Sequence, residues 1–182
     1  RRDGVDISEE SDFSRPFLRL SDATRYTVQT WLKSRRRYPG KRLVAICPGA
    51  RSQSNTWPLK RFTEIGRRLI NLGAYEVVVC GGPAECATGE ILVQEWGEGI
   101  NAAGCFSVLE SAALLGACHF MVGLDTGTTH LAAAVGTTCV TLQGGRIQPG
   151  IWHPLGNNHT VLRFPVPCSG CGLTTCKLSI HP

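Results

Sequence analysis

Short apolar runs without polar alternation recur along the chain at 43–47, 76–80, 100–103, 120–124 and 138–142, with a sixth candidate at 160–164. Between them lie stretches with helical apolar spacing, at 59–72, 83–96, 108–118 and 128–135. A further helix is expected at 21–37. There Ser21-Asp22 suits an N-cap, Val28, Trp31 and Leu32 recur on one face, and a basic end runs into the break at Pro39-Gly40.

Strands that are apolar throughout are those buried on both faces. Five or six of them separated by helices of about ten residues predict a doubly wound, Rossmann-like α/β domain with a parallel sheet. Ligands of such sheets bind beyond the carboxyl ends of the strands, so chemistry is expected in the strand-to-helix loops. Residues 1–20 are charged, Ser-rich and aperiodic; they read as a linker or arm, with the domain proper at 21–182 and a cysteine-containing tail at 165–182.

Composition narrows the class. The 182 residues fit one domain, 42% apolar and 18% charged, and no stretch approaches the roughly 20 apolar residues of a membrane span. Arg1 and Arg2 are followed by acidic residues instead of an apolar run, so no export signal is read, and a start at Arg1 puts the natural beginning elsewhere. The net charge of +5 rests largely on Arg35, Arg36, Arg37, Lys41 and Arg42, which read as a solvated helix end and linker; nucleic acid is not expected as a partner. Of nine cysteines, Cys47, Cys80, Cys86, Cys105, Cys118 and Cys139 are scattered singly and read as small buried hydrophobes. That usage points to a reducing cytoplasm over a disulfide scaffold.

Four loops carry candidate chemistry. The first, 48–58, offers Gly49 and Ala50 for close backbone approach to a phosphate and Arg51, Ser52 and Ser54 as donors; the alternative is a polar loop with a Trp57 lid. In the second, Gly81-Gly82-Pro83-Ala84-Glu85, the acid could accept hydrogen bonds from a ribose diol or merely complement a helix dipole. The third places Ser107 beside a base site or as an N-cap with Glu110 as its partner, the cap being the stronger reading. In the fourth a strand runs straight into a helix through Asp125-Thr126-Gly127-Thr128-Thr129-His130. Free N–H groups and the helix dipole suit that junction to a pyrophosphate, with Thr126 and Thr128 hydroxyls as further donors. Asp125 is expected to cap the helix or bind sugar hydroxyls, and His130 is either structural or part of the site. No G-x-G-x-x-G, phosphate-binding P-loop or G-x-S-x-G motif is present.

Together, PGA at 48–50, WP at 57–58, GGPAE at 81–85, SVLESAALLGAC at 107–118, VGLDTGTTHLAAAVGT at 122–137 and CSGCGLTTC at 168–176 resemble glycosyltransferase family nine, which contains the ADP-heptose:lipopolysaccharide heptosyltransferases. The resemblance implies a GT-B fold of two Rossmann-like domains, of which this chain matches the C-terminal, donor-binding one. It implies an inverting transfer of a heptose or related sugar from a nucleotide-diphosphate sugar, ADP-heptose first among them, with no cofactor required. The acceptor would be a lipopolysaccharide-type glycolipid at the inner membrane surface. An N-terminal acceptor-binding domain absent from this chain would supply the carboxylate base, leaving the chain inactive alone and with no catalytic residue of its own.

By the same resemblance Glu85 would bind the donor ribose, Ser107 would lie near the adenine, and Asp125, Thr126 and Gly127 would contact diphosphate and sugar with His130 nearby. Ala50 and Arg51 would line the phosphate side. Relatives usually carry a Lys-Arg or Lys-His pair just before Trp-Pro, where this chain has Asn55 and Thr56. That departure keeps open a non-catalytic nucleotide-sugar-binding module, and the architecture also admits a sugar-nucleotide epimerase. Cys168, Cys171 and Cys176 with His181 have zinc-like spacing, with thiols or a disulfide as the preferred alternative.

Overall fold

The structure, a computed structural model, describes residues 17–176. Six strands, β1 (Arg42–Cys47), β2 (Tyr75–Val79), β3 (Ile100–Asn101), β4 (Phe120–Leu124), β5 (Thr138–Gln143) and β6 (Thr160–Arg163), form one sheet in the order β3-β2-β1-β4-β5-β6. Every pair is parallel. Five helices accompany them: α1 (Asp22–Arg35), α2 (Leu59–Asn71), α3 (Cys86–Trp96), α4 (Val108–Gly116) and α5 (Gly127–Ala134). The strand order reverses between β1 and β4, the switch point at which doubly wound sheets open a crevice.

The apolar runs are explained by burial on both sides. Alternate residues of a strand point to opposite faces. Leu43, Ala45 and Cys47 of β1 join Val28 and Leu32 of α1 and Ala113 to Leu115 of α4 in one core. Ile46 joins Val77, Val79, Phe62 and Leu92 in the other, under α2 and α3. The second core needs close helix approach, and Gly66 supplies it: a Cβ there would overlap the Trp96 ring, whose Nε1 donates to the Thr63 carbonyl at 2.9 Å.

Three local departures from the expected elements have identifiable causes. The helix expected from residue 83 opens as a 3-10 turn, Pro83–Glu85, because the Glu85 carboxylate folds back to accept the Gly82 N–H at 2.7 Å. The strand expected at 100–103 stops at Asn101, whose Oδ1 takes the Ala103 N–H at 3.1 Å. The basic cluster is not wholly solvated, since Arg36 Nε donates to Glu76 Oε2 at 2.7 Å. Glu76 is 3% exposed and also accepts the Arg37 and Tyr38 N–H groups, which turns the chain out of α1. Cys47, Cys80, Cys118 and Cys139 are buried as expected, whereas Cys86 is half-buried and Cys105 exposed. Burial, and then the neighbouring Cys47, push the Cys139 thiol up to about 12, so it stays protonated and apolar. Among the described residues no helix is long and apolar enough to cross a membrane.

Candidate functional site

The carboxyl ends of β1, β4 and β5 are bound together by Asn55. This residue sits in a 3-10 turn (Gln53–Asn55), is 8% exposed, and donates from Nδ2 to the Asp125 carbonyl at 2.7 Å. Its Oδ1 accepts the Gly144 N–H at 3.3 Å. The side chain that stands at the expected lysine position is thus a spacer between loops and faces backbone. Gly144 is small for a related reason, because a Cβ there would meet the Ser54 carbonyl at 2.7 Å.

At the β4–α5 junction the N-cap residue, Thr126, makes no side-chain cap. Its hydroxyl lies 3.0 Å from that of Thr128. A Cβ on Gly127 would meet nothing within 4 Å, so packing does not call for glycine there and the space before the helix is open. The first-turn N–H groups of a helix carry partial positive charge and seek an acceptor. Asp125 does not cap the helix. Its carboxylate, 8% exposed, lies 3.8 Å from His130 Nε2 and accepts from Gln143 Nε2 at 3.4 Å. His130 in turn meets the Trp152 ring edge-on, centroids 5.9 Å apart.

Across the switch point, Glu85 packs against the first loop. A Cβ on Gly49 would collide with Glu85 Cγ and Cδ at 2.6 Å, and one on Gly81 with Glu85 Cβ at 2.8 Å. Two glycines on adjacent strand ends therefore make room for one carboxylate, which keeps one oxygen on Gly82 and turns the other toward Gly49. Ala50 is half-buried against the second core, and Arg51 is exposed.

Ser107 is the N-cap of α4 and forms a reciprocal capping box with Glu110. Its hydroxyl donates to Glu110 Oε2 at 2.6 Å, and its N–H donates to the same oxygen at 2.9 Å. These two bonds, the hydroxyl's first, hold the Glu110 carboxyl below its ordinary value.

The first loop's serines are tied to the loop after β5 and to the tail. Ser52 Oγ accepts from Arg146 at 3.0 Å, and Ser54 Oγ donates to the Leu173 carbonyl at 2.7 Å. Gly170 and Gly172 N–H groups bond the carbonyls of Gly145 and Arg146 at 2.9 Å, so the tail staples the loops after β1 and β5. Cys168 and Cys171 are free thiols. Among the described residues no three metal-ligating side chains converge, while His181 lies outside them. Three residues that the loops alone did not reveal, Gln143, Arg146 and Trp152, belong to the end of β5 and the segment that follows it. Gly144-Gly145 at the end of that strand was the available signal, repeating the glycine pair after β2.

A family model for glycosyltransferase family 9 (heptosyltransferase) matches residues 8–180. Lipopolysaccharide heptosyltransferase 2 of Salmonella typhimurium is 33% identical over 130 residues, covering 67% of this chain and 36% of that protein. The crystal structure of the glycosyl transferase family 9 protein from Veillonella parvula DSM 2008 matches the fold with a TM-score of 0.74 at 24% identity, over 80% of this chain and 42% of that one. The E. coli heptosyltransferase WaaC with ADP matches with a TM-score of 0.58 at 25% identity, over 76% of this chain and 42% of that one. The chain spans less than half the length of each of these proteins.

Proposed function

This chain belongs to glycosyltransferase family 9, and from that premise we propose that it is the donor-binding domain of a GT-B enzyme transferring a heptose or related sugar from a nucleotide-diphosphate sugar. The observation that carries the reading is the uncapped, sterically open N-terminus of α5 at the switch point. A diphosphate seated there accepts the Gly127 and Thr128 N–H groups and the Thr126 and Thr128 hydroxyls. The ribose diol meets the Glu85 oxygen turned toward Gly49, and the base lies toward the end of β3 near Ser107. Asp125 and His130 face the sugar. Ala50 and exposed Arg51 border the phosphates, and Arg51 supplies the positive charge that Asn55 lacks.

In this reading no cofactor is required, because developing charge on the leaving diphosphate is offset by the helix terminus and Arg51. The acceptor, a lipopolysaccharide-type glycan at the cytoplasmic side of a membrane, is held by an N-terminal domain beyond this chain. That domain also supplies the base for an inverting displacement, so the chain alone binds donor and does not transfer it. ADP is the preferred nucleotide, consistent with the ligand named for the E. coli heptosyltransferase WaaC.

Calorimetric titration of the chain with ADP, UDP and GDP tests the reading. Selective ADP binding is expected; preference for UDP or GDP would change the donor, and no binding of any would overturn the donor-domain role. The inward-facing Asn55 favours one second reading, a non-catalytic binding module. A full-length protein that binds donor yet never releases nucleotide with any acceptor would support that module, and release of epimerised nucleotide sugar without acceptor would indicate an epimerase.

A further inference from the structure

Trp152 is the only non-glycine residue with positive φ among the described residues, at 62°. Its side chain is nevertheless 63% exposed. Both features are unfavourable: the left-handed region crowds a bulky residue's Cβ against its own backbone, and a large aromatic in water forgoes burial. Neither is offset by packing, since Trp152 belongs to neither core, and its one ring neighbour among the described residues is His130, edge-on at 5.9 Å.

The ring is nonetheless built in place. On one side, the Ile151 carbonyl accepts from Gln143 Nε2 at 3.1 Å, and the same amide nitrogen holds Asp125 Oδ2 at 3.4 Å. On the other, His153 Nε2 accepts the Gly150 N–H at 3.3 Å. Gln143 is 6% exposed, so this anchor to the β4–α5 junction is a buried one. Strain held by such an anchor at a ligand-facing edge is the pattern of a residue retained for binding.

Position says what it would bind. The sheet order puts Glu85 after β2, the 48–58 loop after β1, the open α5 terminus after β4 and Trp152 after β5. At about 4.8 Å per strand, β2 and β5 ends lie roughly 14 Å apart. With the ribose at the β2 end and the diphosphate at α5, the group beyond the diphosphate lies at the β5 end. We propose that Trp152 is a stacking platform for the sugar ring of the nucleotide-diphosphate sugar, its indole against the ring's C–H face while the hydroxyls point to Asp125 and His130. This rests on the donor-domain reading, and deepens it by naming a residue that separates a sugar nucleotide from the bare nucleotide.

The test is titration of wild type, Trp152→Gly and Trp152→Phe with ADP and with ADP-heptose, alongside thermal melting. Trp152→Gly is expected to bind ADP within twofold of wild type and ADP-heptose about tenfold more weakly, Trp152→Phe retaining most of the affinity. Because glycine tolerates the left-handed region, Trp152→Gly is expected to melt no lower than wild type. Unchanged ADP-heptose affinity, an equal loss for ADP, or a lowered melting temperature in Trp152→Gly would each overturn the platform while leaving the donor domain standing. Wild type that binds neither ligand would overturn the donor-domain reading and the platform with it.

Discussion

Two helices begin at the same edge of this sheet and end their N-termini in opposite ways. α4 carries its own anion: Glu110 bonds both polar atoms of Ser107, and the terminus is closed. α5 carries none, for the Thr126 hydroxyl caps no helix N–H and Gly127 leaves open space. The helices are nearly equal in length, nine and eight residues, so the dipoles differ little. What differs is place, α4 following β3 at the sheet margin and α5 following β4 at the switch point. On the donor-domain reading proposed above, the helix end without a side-chain cap in the crevice, unlike the closed one at the margin, is where an anion from outside would sit.

The comparison breaks most sharply if α5 is made to resemble α4. Gly127→Asp fits sterically, since a Cβ there meets no atom within 4 Å. A carboxylate in the first turn stabilises the helix slightly, and the melting temperature should hold or rise by about 1–3 °C. The same charge repels a diphosphate, and ADP affinity should fall roughly a hundredfold or more. Retained affinity in titration would mean that the diphosphate sits elsewhere.

Asn55 sharpens the comparison by asking what keeps the α5 terminus where it is. Asn55→Leu removes the bonds to the Asp125 carbonyl and Gly144 N–H while keeping the branched heavy-atom skeleton. Leaving those two groups unpaired costs about 2 kcal/mol, a melting shift of roughly 4–8 °C downward. Asn55→Lys should be at least as damaging, because a cation would enter a position that is 8% exposed. A Lys variant that is as stable as wild type would show a cation-ready site at this position.

How far these roles were legible follows from the range of the interactions. Strands β1, β2, β4 and β5 were readable to within a residue or two; in β1, β2 and β4 burial on both faces writes itself as a nearly continuous apolar run, whereas β5 alternates half-buried and buried positions, and the loop set then followed from topology. The Ser107–Glu110 box was readable because its partners lie three residues apart. Asn55 was not, for its partners lie 70 and 89 residues away. Arg36 looked solvated because Glu76 is 40 residues distant. Ser52 and Ser54 looked like phosphate donors, but Arg146, 94 residues on, engages the first and Leu173 of the tail, 119 residues on, the second. Sequence order located the strand-end loops, while which hydroxyls and amides are already spent depended on contacts that no local pattern encodes.

Glu85 stands between the two extremes, half committed to its own turn. Glu85→Ala loses the Gly82 bond and the oxygen above Gly49, and ADP affinity should drop about tenfold. If the lost contact is the ribose diol, wild type should discriminate ADP from its 2′-deoxy form and the variant should not. Equal discrimination in both would reduce Glu85 to its capping role.

The smallest effect is expected at the closed terminus itself. Ser107→Ala should lower the melting temperature by roughly 2–4 °C at neutral pH, the loss typical of an N-cap serine. Because the box holds the Glu110 carboxyl below its ordinary value, its stabilisation is fully present above the unfolded glutamate range near 4.3 and is lost as pH falls through the lowered folded value. The gap between wild type and variant should therefore narrow when melting is repeated in strong acid. ADP affinity should change less than twofold, since the Ser107 hydroxyl is already spent on Glu110. A large affinity loss would mean that ligand competes for that hydroxyl, and that the margin of the sheet is as much a binding surface as its centre.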